Sequence, residues 1–547
     1  MVTSAYDATR NVPTEPSAPC DVDVVVVGAG FAGMYMLHRL RSLGYSVKVF
    51  EAGTDVGGTW YWNRYPGARC DVESLEYSYS FDEELEQEWE WTERYSSQPE
   101  ILAYANHVAD RFDLRGDIQF ETRVAAANFD EDNDLWRVRS SDGKTTTSRF
   151  FVMATGCLSS TALPDIDGIA EFTGTTVHTG QWPKEGVALK GKRVGVVGTG
   201  SSAVQAIPVI AEQCEELIVF QRTAQYTIPA RNAPLDAEKQ SEIKSRYKEF
   251  RKANFSMPQA LGAEVPQFDD SIHDVSDEER ERRFENAWER GGTLFMSSFN
   301  DVLVDESANV YAQDFVRQKI ADIVNDPSVA AKLTPHHTIG CKRLVIDTDY
   351  FETFNRPNVR LVDVDDDPIR TVTQRGLATQ ATEFEFDVLI FATGFDAMTG
   401  SILRVEITGR NGLTIQEKWA AGPRTYLGLT IPGFPNMFAI SGPGSPSVLT
   451  NMIISIEQHV EWISDCIRWL DAKGASTIEA ELGAEQEWVE HVNAKAQRTL
   501  FPSCNSWYLG ANVPGKTRVF MPLLGFPGYV RRCEQVAAND YEGFVIQ

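Results

Sequence analysis

Near its start the chain reads Val24-Val25-Val26-Val27-Gly28-Ala29-Gly30-Phe31-Ala32-Gly33. Four consecutive valines predict a buried strand, and the three glycines after them fit the tight turn of a dinucleotide-binding loop. Such a turn lets the backbone approach a pyrophosphate, whose charge the N-terminus of the next helix stabilises. The stretch predicts a βαβ unit over residues 22–51, with a helix from about Ala32 to Leu43.

Glu51 follows the second strand of this unit, Val47-Lys48-Val49-Phe50. A carboxylate at this position can accept hydrogen bonds from the two ribose hydroxyls of a dinucleotide. We therefore expect Glu51 to bind ribose.

A second loop of the same kind follows Val194-Gly195-Val196-Val197 and contains Gly198, Gly200 and Ala203. Its unit is expected to end near Thr223, where Gln221-Arg222-Thr223 replaces the acidic residue. A guanidinium suits a 2′-phosphate, which a carboxylate would repel. Two such loops, about 170 residues apart, indicate a flavoprotein that also uses a nicotinamide cofactor. Arg222 favours NADPH over NADH.

The order of the patterns predicts an α/β fold with two Rossmann-like dinucleotide-binding domains. Two strand patterns end in Ala-Thr-Gly, at residues 154–156 and 392–394, and we expect the chain to cross between the domains there. Polar helical patterns at Ala237–Ala253, Asp277–Trp288 and Ala312–Val324 predict a helical insertion in the NADP domain. The expected division is a mobile leader (1–20), an FAD-binding domain (21–155 and 392–547), an NADP-binding domain (156–224 and 336–391) and the insertion (225–335).

Composition excludes several classes of function. The 547 residues carry a net charge of −27, which disfavours binding to nucleic acid or to an anionic membrane. No apolar stretch is long enough to span a bilayer, and the first 20 residues do not read as a signal peptide. We expect a cytoplasmic protein that is a monomer or a weak homo-oligomer.

The eight cysteines are scattered and form no C-x-x-C pair. This pattern disfavours a zinc site, a disulfide framework and a dithiol reductase. We expect reduced thiols and no metal.

Residues 172–183 read Phe-Thr-Gly-Thr-Thr-Val-His-Thr-Gly-Gln-Trp-Pro. This segment resembles the F-x-G-x-x-x-H-x-x-x-W-P fingerprint of type I Baeyer–Villiger monooxygenases at every fixed position. The segments 57–74, 340–343 and 505–516 also resemble those of phenylacetone and cyclohexanone monooxygenases, so the resemblance covers the chain from about residue 22. We interpret His178 as a structural linker that couples cofactor binding to domain position.

The resemblance implies a reaction. NADPH reduces FAD, reduced flavin adds dioxygen to give a C4a-peroxyflavin, and this attacks a ketone to give an ester or lactone. Negative charge develops on oxygen, so a fixed cation beside the flavin is needed. The resemblance assigns that role to Arg343, with Asp71 as the carboxylate that orients it.

The resemblance also implies the binding residues. Trp507 is expected to close over NADP from a mobile loop, and Lys342 and Arg222 are expected to clamp the 2′-phosphate. Val124 is expected to end a strand Ile118–Val124 and to contact adenine through its backbone. The residues expected to bind FAD are Gly28, Gly30, Phe31, Ala32, Gly33, Glu51, Thr59, Trp60, Tyr61, Trp62, Arg69, Asp71, Val72, Tyr77, Val124 and Met452. Those for NADP are Thr199, Gly200, Ser201, Ser202, Ala203, Val204, Gln205, Arg222, Thr223, Lys342, Arg343 and Trp507. Those for the ketone are Ser447, Val448 and Leu449.

Three other functions are alternatives. A flavin monooxygenase that oxygenates sulfur or nitrogen is opposed by Trp182-Pro183 and Arg343, although ketone monooxygenases often oxidise sulfides too. A flavin disulfide reductase is excluded by the missing C-x-x-C pair. A non-catalytic NADPH sensor is opposed by the presence of both Arg343 and Asp71.

Overall fold

The computed structural model describes residues 19–511 and 513–547. The leader predicted for residues 1–20 lies almost wholly outside them. Two sheets dominate the described chain, and each contains one of the glycine loops.

The first sheet is built around the strand that precedes Gly28. Val24 pairs in parallel register with Val47 on one side and with Phe150 on the other. Val24 and Val26 pack on one face with helices Phe31–Ser42 and Met452–Lys473, while Val25 and Val27 pack on the other face with Trp136 and Phe151. This burial on both faces explains the unbroken valine run. The eight strands of the sheet are Val22–Val27, Val47–Phe50, Ile118–Gln119, Val124–Asp130, Leu135–Ser140, Thr145–Met153, Glu406–Thr408 and Met437–Ala439.

The second sheet has five parallel strands. Leu389, late in the chain, lies between Gly195 and Thr176, so strands far apart in sequence meet behind the second glycine loop. Strand Thr145–Met153 of the first sheet ends directly before Ala154. Strand Val388–Phe391 of the second sheet ends directly before Ala392. In spatial order, the strands of the second sheet are Val359–Asp363, Glu216–Gln221, Arg193–Val197, Val388–Phe391 and Thr175–His178.

Helices fill the segment between residues 225 and 335. The side chains of Asp236, Ser276, Asp305 and Asp326 each accept a hydrogen bond from a first-turn N–H, as N-cap residues do. The expected single helix Ala237–Ala253 was wrong, because the backbone breaks at Arg246 (φ −129°) and gives two helices. The helices of the segment are Ala237–Ser245, Tyr247–Phe255, Asp277–Arg290, Glu306–Ile323 and Pro327–Leu333.

The remaining elements surround these two sheets. Strands Ile369–Thr373, Gly376–Thr379 and Glu383–Glu385 form an antiparallel sheet, Thr227–Pro229 pairs with Val345–Asp347, and Ile478–Ala480 pairs with Phe544–Ile546. The other helices are Thr59–Trp62, Glu83–Glu88, Gln98–Arg111, Ser201–Gln213, Tyr350–Thr353, Gly400–Leu403, Ile415–Lys418, Leu482–Ala496 and Phe526–Ala538. Within the described ranges, no helix is both long and apolar enough to cross a membrane.

Two further expectations were wrong. Val124 begins strand Val124–Asp130 and does not end a strand, because the chain turns after Gln119 through Glu121, whose φ is +52°. The cysteines are not all reduced, because Cys341 and Cys504 form a disulfide across 163 positions of sequence. The other six cysteines are free.

Candidate active site

The first glycine loop fits its neighbours too closely for larger side chains. Gly28 has a φ of +103°, and a Cβ atom there would lie 2.6 Å from the carbonyl oxygen of Ala154. A Cβ atom on Gly33 would lie 1.8 Å from the carbonyl oxygen of Gly28. Gly30 faces Gly58, whose Cα would be 3.2 Å from an added Cβ. The glycines therefore let the loop pass between Ala154 and the segment that contains Gly58.

Glu51 braces this loop from the end of the second strand. Its side chain is buried, with 5% of its surface exposed. Its two oxygens accept hydrogen bonds of 2.7 Å from the backbone N–H groups of Ala29 and Gly53. Each carboxylate oxygen keeps a second lone pair, which is the acceptor that a ribose hydroxyl requires.

The other residues expected at the flavin lie on several elements around this loop. Phe31 and Ala32 are buried in the first turn of its helix. Trp60 donates from its indole N–H to the Tyr77 hydroxyl (3.1 Å), and the Tyr61 hydroxyl lies 2.8 Å from that of Thr54. Helix Thr59–Trp62 contains Thr59 and the half-buried Trp62, Val72 is buried, and the half-buried Met452 begins helix Met452–Lys473.

Arg69 lies at the junction of the two sheets. Its guanidinium pairs with Glu93 (3.0 Å), and its backbone carbonyl accepts from the side chain of Gln205 (3.1 Å). The Gln205 oxygen also accepts from the Tyr65 hydroxyl (2.8 Å). Gln205 thus connects the helix of the second loop to the segment around Arg69.

The second glycine loop repeats the backbone of the first but not its surroundings. A Cβ atom on Gly198 would lie 2.6 Å from the Ala392 carbonyl oxygen, whereas a Cβ atom on Gly200 would meet none of the described atoms within 4 Å beyond its own neighbours. Thr199 donates from its hydroxyl to the carbonyl oxygen of Thr223 (2.9 Å). In the helix that follows, Ala203 and Val204 are buried while Ser201 is exposed and Ser202 is half-buried.

Two cations meet beside the second loop. Burial and the nearby Arg222 charge lower the pKa of the Lys342 ammonium. Among the described residues, neither Lys342 nor Arg222 has a carboxylate within 4.0 Å. Two adjacent cations without a carboxylate fit a phosphate group.

Arg343 and Asp71, 272 residues apart in sequence, form a two-point ion pair. The guanidinium Nε and Nη2 donate to the two carboxylate oxygens at 2.8 and 2.9 Å. Burial by itself would lower the pKa of Arg343, but the charge of Asp71 and its hydrogen bonds hold that pKa above the ordinary value. The side chains remain 28% and 24% exposed, so a small molecule can reach the pair.

Val448 contacts Arg343 through its backbone. The third guanidinium donor, Nη1, bonds to its carbonyl oxygen at 2.7 Å. Ser447, the residue before it, has a φ of +44° and is fully buried, and Leu449 is half-buried. Of the three residues expected at the ketone, the structure shows Val448 in contact with Arg343, and through its carbonyl rather than an apolar wall.

Two neighbours of Arg343 were not expected. Burial raises the pKa of the Tyr508 phenol, and the adjacent Arg343 charge partly offsets that rise. Gln225 donates from its side chain to the Arg343 carbonyl oxygen (2.9 Å). Tyr508 lies in the segment 505–516 that resembles the family, so the sequence could have predicted it as a site residue. Nothing in the sequence around Gln225 predicts its contact with Arg343.

Trp507 lies on the same turn, Trp507–Leu509, with its ring 4.4 Å from that of Tyr508. It is half-buried. The disulfide joins Cys504, three residues earlier, to Cys341, two residues before Arg343. The turn and the Arg343 segment are therefore covalently connected.

His178 is buried at the end of strand Thr175–His178. Its Nδ1 accepts from the backbone N–H of Gly180 (3.0 Å), and its Nε2 lies 3.4 Å from the Thr393 hydroxyl. Burial lowers its pKa. The ring thus joins the two chain segments that enter and leave the second sheet.

Known proteins resemble this chain along almost its whole length. A family model described as pyridine nucleotide-disulphide oxidoreductase matches residues 22–277. A Baeyer–Villiger monooxygenase of Pseudooceanicola batsensis is 43% identical over 540 residues, which cover 98% of each chain. A phenazine N-monooxygenase of Lysobacter antibioticus is 43% identical over 529 residues, or 96% of this chain and 97% of the relative. A solved structure titled oxidized steroid monooxygenase bound to NADP is 52% identical, has a TM-score of 0.92 and covers 96% of this chain and 99% of its own.

Proposed function

This chain belongs to the family of Baeyer–Villiger monooxygenases, and from that premise we propose that Arg343 is its catalytic cation and Asp71 the residue that positions it. The chain is an FAD-dependent monooxygenase that uses NADPH and dioxygen to oxidise ketones to esters or lactones.

The described residues fit both cofactors. The crowded loop at Gly28, with the buried acceptor Glu51, suits the pyrophosphate and ribose of FAD. The loop at Gly198, with Arg222 and Lys342 beside it, suits NADP and its 2′-phosphate. The first sheet is accordingly proposed as the FAD domain and the second as the NADP domain. When bound, FAD accepts hydride from NADPH and supplies the oxygen-transfer chemistry.

The assignment of Arg343 rests on its two-point pair with Asp71. The pair fixes the plane of the guanidinium, and a fixed charge stabilises an oxyanion without having to reorganise. Nη1 is held by the Val448 carbonyl, so the three donors that bond are all constrained. In this assignment the cation offers charge beside the substrate segment Ser447–Leu449.

The test is Arg343→Ala in the holoenzyme, with Arg404→Ala, an exposed arginine, as the matched control. We expect Arg343→Ala to retain FAD and to be reduced by NADPH, yet to form no ester from a panel of cyclic, linear and aromatic ketones. Asp71→Asn should reduce the turnover number, because it removes the orientation of the cation and not the cation itself. Normal ester formation by Arg343→Ala would refute the assignment.

Oxygenation at nitrogen is a second candidate activity. The phenazine N-monooxygenase and the Baeyer–Villiger monooxygenase are each 43% identical to this chain. Addition to a ketone creates an oxyanion that needs Arg343, whereas oxygen transfer to a heteroaromatic nitrogen does not pass through such an adduct. Comparing cyclohexanone with phenazine in the wild type and in Arg343→Ala separates the two. Phenazine N-oxide formation that persists in Arg343→Ala, where ester formation is lost, would establish N-oxygenation as a second activity beside ketone oxidation.

A cytoplasmic location and a monomeric or weakly oligomeric state are also proposed. The scattered cysteines support the first. The net charge of −27 supports the second, since it opposes self-association. The disulfide opposes the first, because disulfides are rare in the cytoplasm. Cell fractionation and light scattering test the two proposals separately.

A further inference from the structure

A surface cleft of about 450 Å³ lies between helices Leu482–Ala496 and Phe526–Ala538, apart from the site described above. His491 and Lys495 line it from the first helix, and Arg531 and Arg532 line it from the second. The volume is within the usual range for small-molecule sites. Nothing in the proposed reaction uses this cleft.

The cleft concentrates positive charge in a strongly acidic chain. Among the described residues that line it, the one carboxylate is Glu487, against one lysine, two arginines and a histidine. In the part of the chain that the structure describes, neither Lys495 nor Arg531 has a carboxylate within 4.0 Å. Lys495 donates instead to the carbonyl oxygen of Leu524 (3.3 Å), and Arg532 reaches Glu542 only at 3.8 Å.

These cations repel one another. Burial lowers the pKa of Lys495, and the charges of Arg531 and Arg498 lower it further. Burial also lowers the pKa of His491, and Lys495 and Arg532 add to that effect. A bound anion would remove this repulsion, which is the favourable energy that an anion site requires.

Aromatic and small apolar side chains also line the cleft. The Trp488 ring stacks on His491, with centroids 5.3 Å apart and planes at 25°, and Tyr426 and Ala484 lie beside it. Trp488 is held in place because its indole N–H donates to the carbonyl oxygen of Gly444 (3.0 Å). Rings beside cations favour a ligand that joins a charged group to a flat apolar body.

We propose that this cleft binds a small organic anion, a carboxylate or a phosphate ester with an apolar body, separately from both dinucleotides. The probes are benzoate and phenyl phosphate, with benzyl alcohol as the neutral control. Calorimetry is done on the holoenzyme saturated with NADP, so that the phosphate clamp at Arg222 and Lys342 is already filled. Comparing the two anions tells which head group the site prefers.

Arg531→Gln and Lys495→Met should each weaken binding of the better anion about tenfold, since each removes a charge-assisted donor. Arg370→Gln is the matched control, because Arg370 is exposed on the separate antiparallel sheet and its loss changes net charge equally. Arg531 is itself exposed, so its variant is expected to fold. Absence of anion binding by the wild type, equal binding of benzyl alcohol, or equal weakening by Arg370→Gln would each overturn the proposal.

Discussion

The two glycine loops share a backbone but differ in how they are closed. Around the first, Gly58 lies against Gly30, and the buried Glu51 bonds to Ala29 and Gly53. Around the second, Gly200 faces open space in the described structure, and Arg222 is exposed. An enclosed loop suits a group that stays bound through many turnovers, whereas an open loop suits a coenzyme that must enter and leave. How closely the neighbouring residues enclose each loop thus distinguishes the two sites more clearly than the glycine pattern does.

The largest expected effect is on the enclosed loop. Gly33→Ala places a Cβ atom 1.8 Å from the Gly28 carbonyl oxygen, so the loop must move and FAD should be lost. The matched change Gly200→Ala, in open space, should retain FAD and affect only NADPH. The FAD-to-protein ratio after purification measures both, and a Gly33→Ala protein with full FAD would contradict the comparison.

The second prediction concerns the open loop. Arg222→Gln and Lys342→Met should each raise the Michaelis constant for NADPH about tenfold or more, since each removes a charge-assisted phosphate contact. The constant for NADH should change little. Steady-state kinetics with both coenzymes measures the effect, and equal losses for NADPH and NADH would show that these cations do not read the 2′-phosphate.

The sequence predicted the parts of this site that depend on local spacing. The glycine loops, Glu51 and the strand after each loop follow from residues close in sequence, and the resemblance placed Arg343 and Asp71, which the structure pairs. The disulfide was missed because 163 residues separate its cysteines and nothing local joins them. The sequence did not predict that a strand begins at Val124, because the turn before it contains no glycine or proline. Glu121 adopts the positive φ of that turn instead. The contact of Gln225 with Arg343 arises only from the fold.

Glu51→Gln should have a smaller effect than Gly33→Ala. The amide has one acceptor oxygen where the carboxylate has two, so either Ala29 or Gly53 loses its partner. We expect the dissociation constant of FAD to rise about tenfold, the cost of one buried unsatisfied donor. Equilibrium titration of apoprotein with FAD measures it, and Gln221→Glu at the corresponding position of the second loop should leave FAD binding unchanged.

The smallest expected effect concerns the helices behind the loops. The helix of the first loop packs on helix Met452–Lys473, which contains Glu457, and burial raises the pKa of this carboxyl to about 7. The side chains that the helix of the second loop buries are apolar and do not titrate. Because the folded state holds this proton and the unfolded state releases it near the ordinary pKa of 4.5, Glu457 makes the fold less stable as the pH rises from about 4.5 to 7. Glu457→Gln should reduce the fall in melting temperature over this interval by about 1–3 °C. The exposed Glu249→Gln should not, and an unchanged profile in Glu457→Gln would show that the burial carries no such cost.

The bond between Cys341 and Cys504 has a topological consequence. It closes the chain into a ring that contains two strands of the second sheet, Val359–Asp363 and Val388–Phe391, and two of the first, Glu406–Thr408 and Met437–Ala439. A protease that cuts once inside this ring opens it without releasing a fragment. The nicked molecule keeps its full mass until a reductant is added, and only then separates into two pieces under denaturing conditions.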